Sequence, residues 1–309
     1  MKKILGLICA FTLLFALVGC MQKRSVQNEP KEYEYIAYEI GVFDASDGGN
    51  HSSEFFPWSS DKITSHYDET APAEAVITFN GVTYTGNYLR SLTRRPNLYK
   101  AHRYEGKNES VEIDGKTGQT VFFEINAETG EICSFTLAYE PAPSNKYDES
   151  ECRRIADSVA DDYLSLSDYQ VIVSSEEMNG KDLHSYIYYK EYNGIRAVDW
   201  LTVSVCSNGH IQAFSTRMLG SFDGVETVDF DSEKAIIHVE NKLDSIYEGS
   251  ETRTGYDIYN QMLIRLPDGN FAILYTIDNR FEKVDGEVTI KSGSQVQLLV
   301  TAQPKDDTP

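Results

Sequence analysis

Two runs over residues 183–192 and 195–206, joined by Asn193-Gly194, constrain the fold more than any other stretch of the chain. Asparagine and glycine accept the positive φ angles of a two-residue type I′ turn, so the runs are predicted to close into an antiparallel hairpin. In the returning strand Leu201, Val203 and Val205 alternate with Trp200, Thr202 and Ser204, giving one apolar and one polar face. Asp199 falls in the apolar phase and predicts a bulge or a register slip there. Ser207-Asn208-Gly209 turns the chain again before a further strand over 210–214.

An apolar sheet face needs a cover. Upstream, Cys152, Ile155, Ala156, Val159, Ala160, Tyr163 and Leu164 recur at spacings of three and four, the mark of a helix with one buried stripe. Arg153, Arg154, Asp157, Asp161 and Asp162 fall outside that stripe. Asp148 or Ser150 supplies the N-cap oxygen, and the helix is predicted to fade near Leu166. Asp231-Ser232-Glu233 opens a second helix with Ala235, Ile236, Val239, Leu243, Ile246 and Tyr247 inward. Strands over 256–266, 270–278 and 295–301 follow it, so the element order of the central unit is repeated.

Ahead of these units the signals are for strands: 33–43, 75–79 turning through Asn80-Gly81 into 82–88, then 98–104, 110–113, 120–125 and 131–139. Residues 44–73 read as a long loop carrying Phe55, Phe56 and Trp58. Residues 89–97, with Arg90, Arg94 and Arg95, read as a basic loop in an acidic chain. Pro141 and Pro143 mark a boundary.

The helix followed by Tyr192-Asn193-Gly194-Ile195 and by Val203-Ser204-Val205-Cys206-Ser207-Asn208-Gly209-His210-Ile211 resembles a PepSY-type module. Such small α+β units occur in peptidase propeptides and bacterial envelope proteins and are similar to cystatins in general shape. The resemblance implies a binding, inhibitory or regulatory role and brings no catalytic residues with it. The expected fold class is therefore α+β: antiparallel sheets each packed by one helix, in tandem PepSY-like units, with a β-rich N-terminal region. The expected segments are a leader (1–20), a tether (21–32), the β-rich region (33–143), two helix-plus-hairpin units (144–222 and 223–303) and a tail (304–309).

Met1-Lys2-Lys3 is a positive start to an apolar run over 4–18, and Leu17-Val18-Gly19-Cys20 resembles the bacterial lipobox. The resemblance implies that Cys20 becomes the mature N-terminus and carries a thioether-linked diacylglycerol. That would hold the protein, lipid-anchored, on the extracytoplasmic face of the cell membrane. Two acyl chains anchor stably, at roughly 0.8 kcal/mol per buried methylene. The alternative is a cleaved secretory signal whose cysteine is accidental.

A net charge of −20 repels nucleic acid and attracts cations or basic peptides. Cys133, Cys152 and Cys206 allow one internal disulfide at most and read as buried thiols; no cysteine pair has zinc-ribbon spacing. The six histidines are scattered, and no Gly-x-Ser-x-Gly, His-Glu-x-x-His, phosphate loop or dinucleotide fingerprint occurs, so no catalytic residue, metal or cofactor is expected. The leading expectation is a non-catalytic module that binds a protein, a peptide or an envelope component on an exposed sheet face or edge. Trp200, Tyr186, Tyr188 and Trp58 are its aromatic candidates. The alternative is a hydrolase using unrecognised carboxylates, which a pocket with two or more convergent acidic or histidine side chains would favour. A third reading is a spacer in a larger envelope complex.

Overall fold

The computed structural model describes all residues except 1–32, 45–49, 53–63, 95–98, 139–146, 179–180, 249–252, 267, 286–287 and 305–309. The chain divides into Tyr35–Gln303 and a small unit of Met1–Glu34 with Pro304–Pro309. Of the small unit only Tyr33, Glu34 and Pro304 are described; every other described residue belongs to Tyr35–Gln303.

Strands β1 (Tyr33–Asp44), β2 (Asn50–Ser52), β3 (Thr64–His66), β4 (Glu74–Phe79), β5 (Val82–Arg94), β6 (Tyr99–Asn108), β7 (Gln119–Asn126) and β8 (Ile132–Ala138) come first. Helix α1 (Glu149–Ala160) and a 3₁₀ turn (Leu166–Asp168) lead to β9 (Gln170–Met178), β10 (Lys181–Tyr192), β11 (Ile195–Cys206) and β12 (Ile211–Arg217). Helix α2 (Ser232–Ile246) precedes β13 (Arg253–Arg265), β14 (Phe271–Asp285) and β15 (Val288–Pro304). The predicted hairpin closes through Asn193 at φ 51° and Gly194 at φ 77°, with Tyr192 opposite Ile195. Helix α1 starts at Asp148, whose side chain accepts from Glu151 N–H while the Glu151 carboxylate accepts from Asp148 N–H.

The expectation of tandem α+β units is overturned. The described strands form one mixed 15-stranded sheet in the order β2-β1-β15-β14-β13-β11-β12-β8-β7-β6-β5-β3, with β10 and then β9 branching from β11 and β4 from β5. Two long-range pairings fuse what the element order separates. Strand β12 pairs with β8, Phe214 opposite Phe135, so the N-terminal strands continue the sheet under α1. Strand β13 joins β11 in parallel at Leu263 and Ala197. Cys152, Ala156, Val159 and Ala160 of α1 share one core with Tyr186, Tyr188, Leu201 and Val203, and also with Phe79, Tyr104, Phe123 and Phe135 of the N-terminal strands. Phe79 stacks on Phe135 at 4.4 Å and meets Phe214 at 5.2 Å. The two helices occupy separate places: α2 buries Ala235, Val239 and Leu243, with His238 beside Tyr35 of β1 and, just past its end, Tyr247 against Phe281 of β14.

Smaller differences follow from local chemistry. The loop expected over 44–73 contains β2 and β3, and β5 runs through Arg90 to Arg94 where a basic loop was expected. Residues 110–113 make only an isolated bridge, Ile113 with Lys116, and Gln170–Met178 is a strand that the sequence pattern does not announce.

Candidate functional site

The site grows from the irregularity that Asp199 predicted. Tyr189 pairs with Trp200 and Glu191 with Arg196, so Lys190 alone stands opposite Ala197, Val198 and Asp199. All three are buried, and the two extra residues on β11 are a bulge. The extra residues let Val198 pack against Ile264, Leu274 and Leu299 on one side while Asp199 turns to the other.

Asp199 is wholly buried, and both its oxygens are engaged. Tyr169 donates its hydroxyl to Oδ1 at 2.9 Å and Gly220 its N–H at 3.1 Å; Phe222 N–H donates to Oδ2 at 3.0 Å. Lys190 Nζ lies 3.6 Å from Asp199 Oδ2, donates to Asp223 Oδ1 at 2.7 Å, and sits 4.8 Å above the Tyr169 ring. Burial by itself would push the Lys190 ammonium down; the Asp223 hydrogen bond and the two carboxylate charges outweigh it and hold the lysine above its ordinary value. Burial, reinforced by the Asp199 charge, drives the Tyr169 hydroxyl far up, so it remains a donor.

The two N–H groups held by Asp199 belong to a strap over residues 218–225, where the chain leaves β12. Its bends need the left-handed region, adopted by Met218 at φ 45°, Gly220 at 80° and Gly224 at 72°. Phe222 stacks on Tyr192 at 5.3 Å, the Tyr192 hydroxyl donates to Val225 O, and Arg265 donates to Ser221 O.

The strap walls a cleft of about 1520 Å³ that also takes in the end of α1, the start of β9 and the β7–β8 turn. Its lining carries the carboxylates Glu131, Asp161, Asp162, Asp168, Glu191 and Asp223 against one cationic residue, Lys190, and contains no histidine. All six carboxylate residues are exposed. Asp161 caps the C-terminus of α1, whose last turn has no basic residue. Carboxylates there oppose the helix dipole, at a cost of about 0.3–1 kcal/mol each, so they are not placed for helix stability. Tyr163, Leu164, Tyr169, Tyr192 and Leu219 are among the apolar side chains of the lining.

The aromatic candidates are distributed otherwise than expected. Tyr186 and Tyr188 are fully buried under α1, donating to Glu149 O and to Asp157 Oδ1, each at 2.7 Å, so neither offers a contact surface. Their phase on β10 is that of the apolar face, with Tyr186 opposite Val203 and Tyr188 opposite Leu201. Trp200 is half-buried, packed against the Val198 cluster with the Arg217 guanidinium 5.0 Å from its ring. Trp58 and Cys20 lie outside the described residues. Cys133, Cys152 and Cys206 are buried and joined in no disulfide, and burial, then the neighbouring Cys206, pushes Cys152 up to about 11. Lys190, Asp223 and Tyr169 were not singled out by sequence. The available signal was Lys190 in the same phase as Tyr186 and Tyr188, one strand from Asp199 in the phase of Leu201.

Among the described residues no group of three His, Cys, Asp or Glu side chains is placed to hold a metal ion. No described helix is long and apolar enough to cross a membrane. No protein-family model matches this sequence, and no curated protein matches it. Among solved structures the chain is similar to the Bacillus megaterium YpeB C-terminal domain, with 11% identity over 72% of this chain and 91% of that one. The TM-score is 0.33, too distant a likeness to carry an argument about fold or function.

Proposed function

We propose that the protein is a lipid-anchored extracytoplasmic bacterial lipoprotein whose acidic cleft binds a basic protein or peptide of the envelope, without catalysis. What supports the reading is the state of the cleft's carboxylates. Catalysis by an acid pair needs two carboxyl groups held in contrasting environments. Here the buried carboxylate, Asp199, is saturated by donors, and those facing the cleft are exposed. An exposed set of one sign acts as a steering and docking field for the opposite sign. The PepSY-like resemblance within residues 147–214 and the lipobox-like stretch ending at Cys20 support the same class of job, a tethered regulatory or binding module.

The hydrolase reading draws on the same carboxylates, because their number in one cleft is what such a site requires. One experiment separates the two. The full chain in detergent is titrated calorimetrically with oligolysine and with oligoglutamate, and the recovered peptides are weighed by mass spectrometry. Binding of oligolysine that weakens with salt, with the peptide intact, is expected. No oligolysine binding at low salt overturns the binding reading, and cleavage replaces it with the hydrolase. Separately, Cys20→Ala is expected to release the protein from membranes; retention as firm as the parent's removes the anchor.

A further inference from the structure

Strand β9 is hydrogen-bonded along one side only: Gln170 to Met178 pair with Tyr189 to Lys181 of β10, and among the described strands β9 has no other partner. Unpaired edges template the addition of foreign strands, and natural sheets blunt them with charge. One half of β9 follows that rule, since Glu176 and Glu177 are exposed. The other half does not: Val171, Ile172 and Val173 are half-buried β-formers without a charge among them. The unguarded half is the one that opens on the cleft, through Tyr169 and Gln170.

We infer that the free edge of β9 over residues 170–173 receives an extended segment of a basic polypeptide, pairing backbone to backbone while alternate lysine or arginine side chains enter the acidic cleft. This rests on the binding reading above and specifies its mode and its partner. Charge complementarity chooses the occupant. The cleft offers Asp161 and Asp162 past the end of α1, Asp168 just before β9 and Glu191 on β10, and its lysine is already consumed by Asp199 and Asp223. A strand repeats its side-chain direction about every 7 Å. A partner with a cation at every second residue therefore presents a row of charge on one face and keeps its amide groups free for the edge. A compact polyamine has the charge without the amides, and an acidic strand the amides without the charge.

The test uses the full chain in detergent with fluorescent peptides of about ten alternating lysine and threonine residues. A glutamate–threonine peptide, the lysine–threonine peptide N-methylated at alternate residues, and spermine serve for comparison. Anisotropy gives affinity, and hydrogen exchange reports the β9 amides. The lysine–threonine peptide is expected to bind, to protect amides within 170–173, and to lose about tenfold or more in affinity on N-methylation. Spermine and the glutamate peptide are expected to leave the β9 amides unchanged. Asp161→Lys with Asp162→Lys is expected to weaken binding about tenfold. The same variant places cations at the end of α1, where they favour the helix, so its lost affinity is not a folding defect. If the N-methylated peptide binds as well as the parent peptide and 170–173 gain no protection, strand addition is wrong while the cleft reading stands. If no cationic probe binds, the cleft reading itself fails.

Discussion

Replacing Asp199 with asparagine tests the site at its root. The carboxylate accepts three hydrogen bonds and faces an ammonium 3.6 Å away, with no solvent exposure. Asparagine keeps the shape but has one acceptor oxygen. If that oxygen serves Tyr169 and Gly220, the amide NH₂ points at the Phe222 N–H and at Lys190, setting donor against donor. Breaking one side of a buried ion pair costs about 3–5 kcal/mol. Domains are stable by about 5–15 kcal/mol, so the loss is a large share of the whole. At about 2–3 kcal/mol per molar urea the midpoint falls by about 1–2.5 M. Asp223→Asn is the matched control: its carboxylate also meets Lys190, at 2.7 Å, but the side chain is 73% exposed, and such pairs contribute about 0.2–1 kcal/mol. Urea unfolding of both variants, with hydrogen exchange at Gly220 and Phe222, separates the buried contact from the exposed one. Equal and small midpoint shifts, with both amides still protected, would refute the assignment of Asp199 as the strap's anchor.

Tyr188→Phe removes a buried hydroxyl from Asp157 Oδ1, a hydrogen bond to a charged group, and should cost about 1.5–3 kcal/mol in urea unfolding. Tyr186→Phe, which loses a carbonyl partner, should cost about 1 kcal/mol. Alkaline titration followed by tyrosinate absorbance should show a class that resists ionisation: burial holds Tyr169, Tyr186, Tyr188 and Tyr275 above the ordinary 10.0, and Tyr256 is raised to about 12 by burial and then by Glu240. Because these folded values exceed the unfolded one, the stability they confer is complete below pH 10 and is lost as pH rises toward the folded values, so unfolding should release that class at once. Gly106→Ala would drive a methyl group into the Thr85 carbonyl oxygen across the β5–β6 pair, and should destabilise by about 1–3 kcal/mol, read as a lowered Tm.

Local signals in the sequence are legible where one interaction dominates. Asn193-Gly194 specifies its turn through φ alone, and the α1 stripe survives as buried Cys152, Ala156, Val159 and Ala160. The cap, open between Asp148 and Ser150 on sequence, goes to Asp148 because Glu151 completes the reciprocal pair. The inward orientation of Tyr186 and Tyr188 was also available. Extending the register from Tyr192 and Ile195 puts Tyr186 opposite Leu201 and Tyr188 opposite Asp199, in the phase of the apolar residues, and a bulge that adds an even number of residues moves Tyr188 to Leu201 while keeping the face. Strand β9 escaped because Ser174, Ser175, Glu176 and Glu177 give an edge strand little apolar contrast, although Asn179-Gly180 repeats the turn dipeptide between Met178 and Lys181. The tandem picture failed for a different reason: element order says nothing about which distant edges meet, and the Phe214–Phe135 and Ala197–Leu263 pairings are not written in any local period.

The bulge in β11 is where fold and cleft become one problem. Strand β12 reaches along β11 only as far as Trp200, paired with Arg217, and β13 takes up β11 at Ala197, inside the bulge. Chain leaving β12 must therefore cross the junction, and the strap that crosses it exposes backbone N–H groups to a buried region. Asp199 satisfies two of them, at Gly220 and Phe222, and its charge is matched by Lys190 from the next strand. Neutralising that buried charge consumes the cation of the cleft lining, and the field that remains there is set by the exposed carboxylates. A regular β11 would set Asp199 directly opposite Tyr188 in the phase of Leu201 and Val203, and give the strap no such anchor. The irregularity that looks like a flaw in an alternating strand is thus the condition for an acidic cleft with a fixed wall beside an open sheet edge.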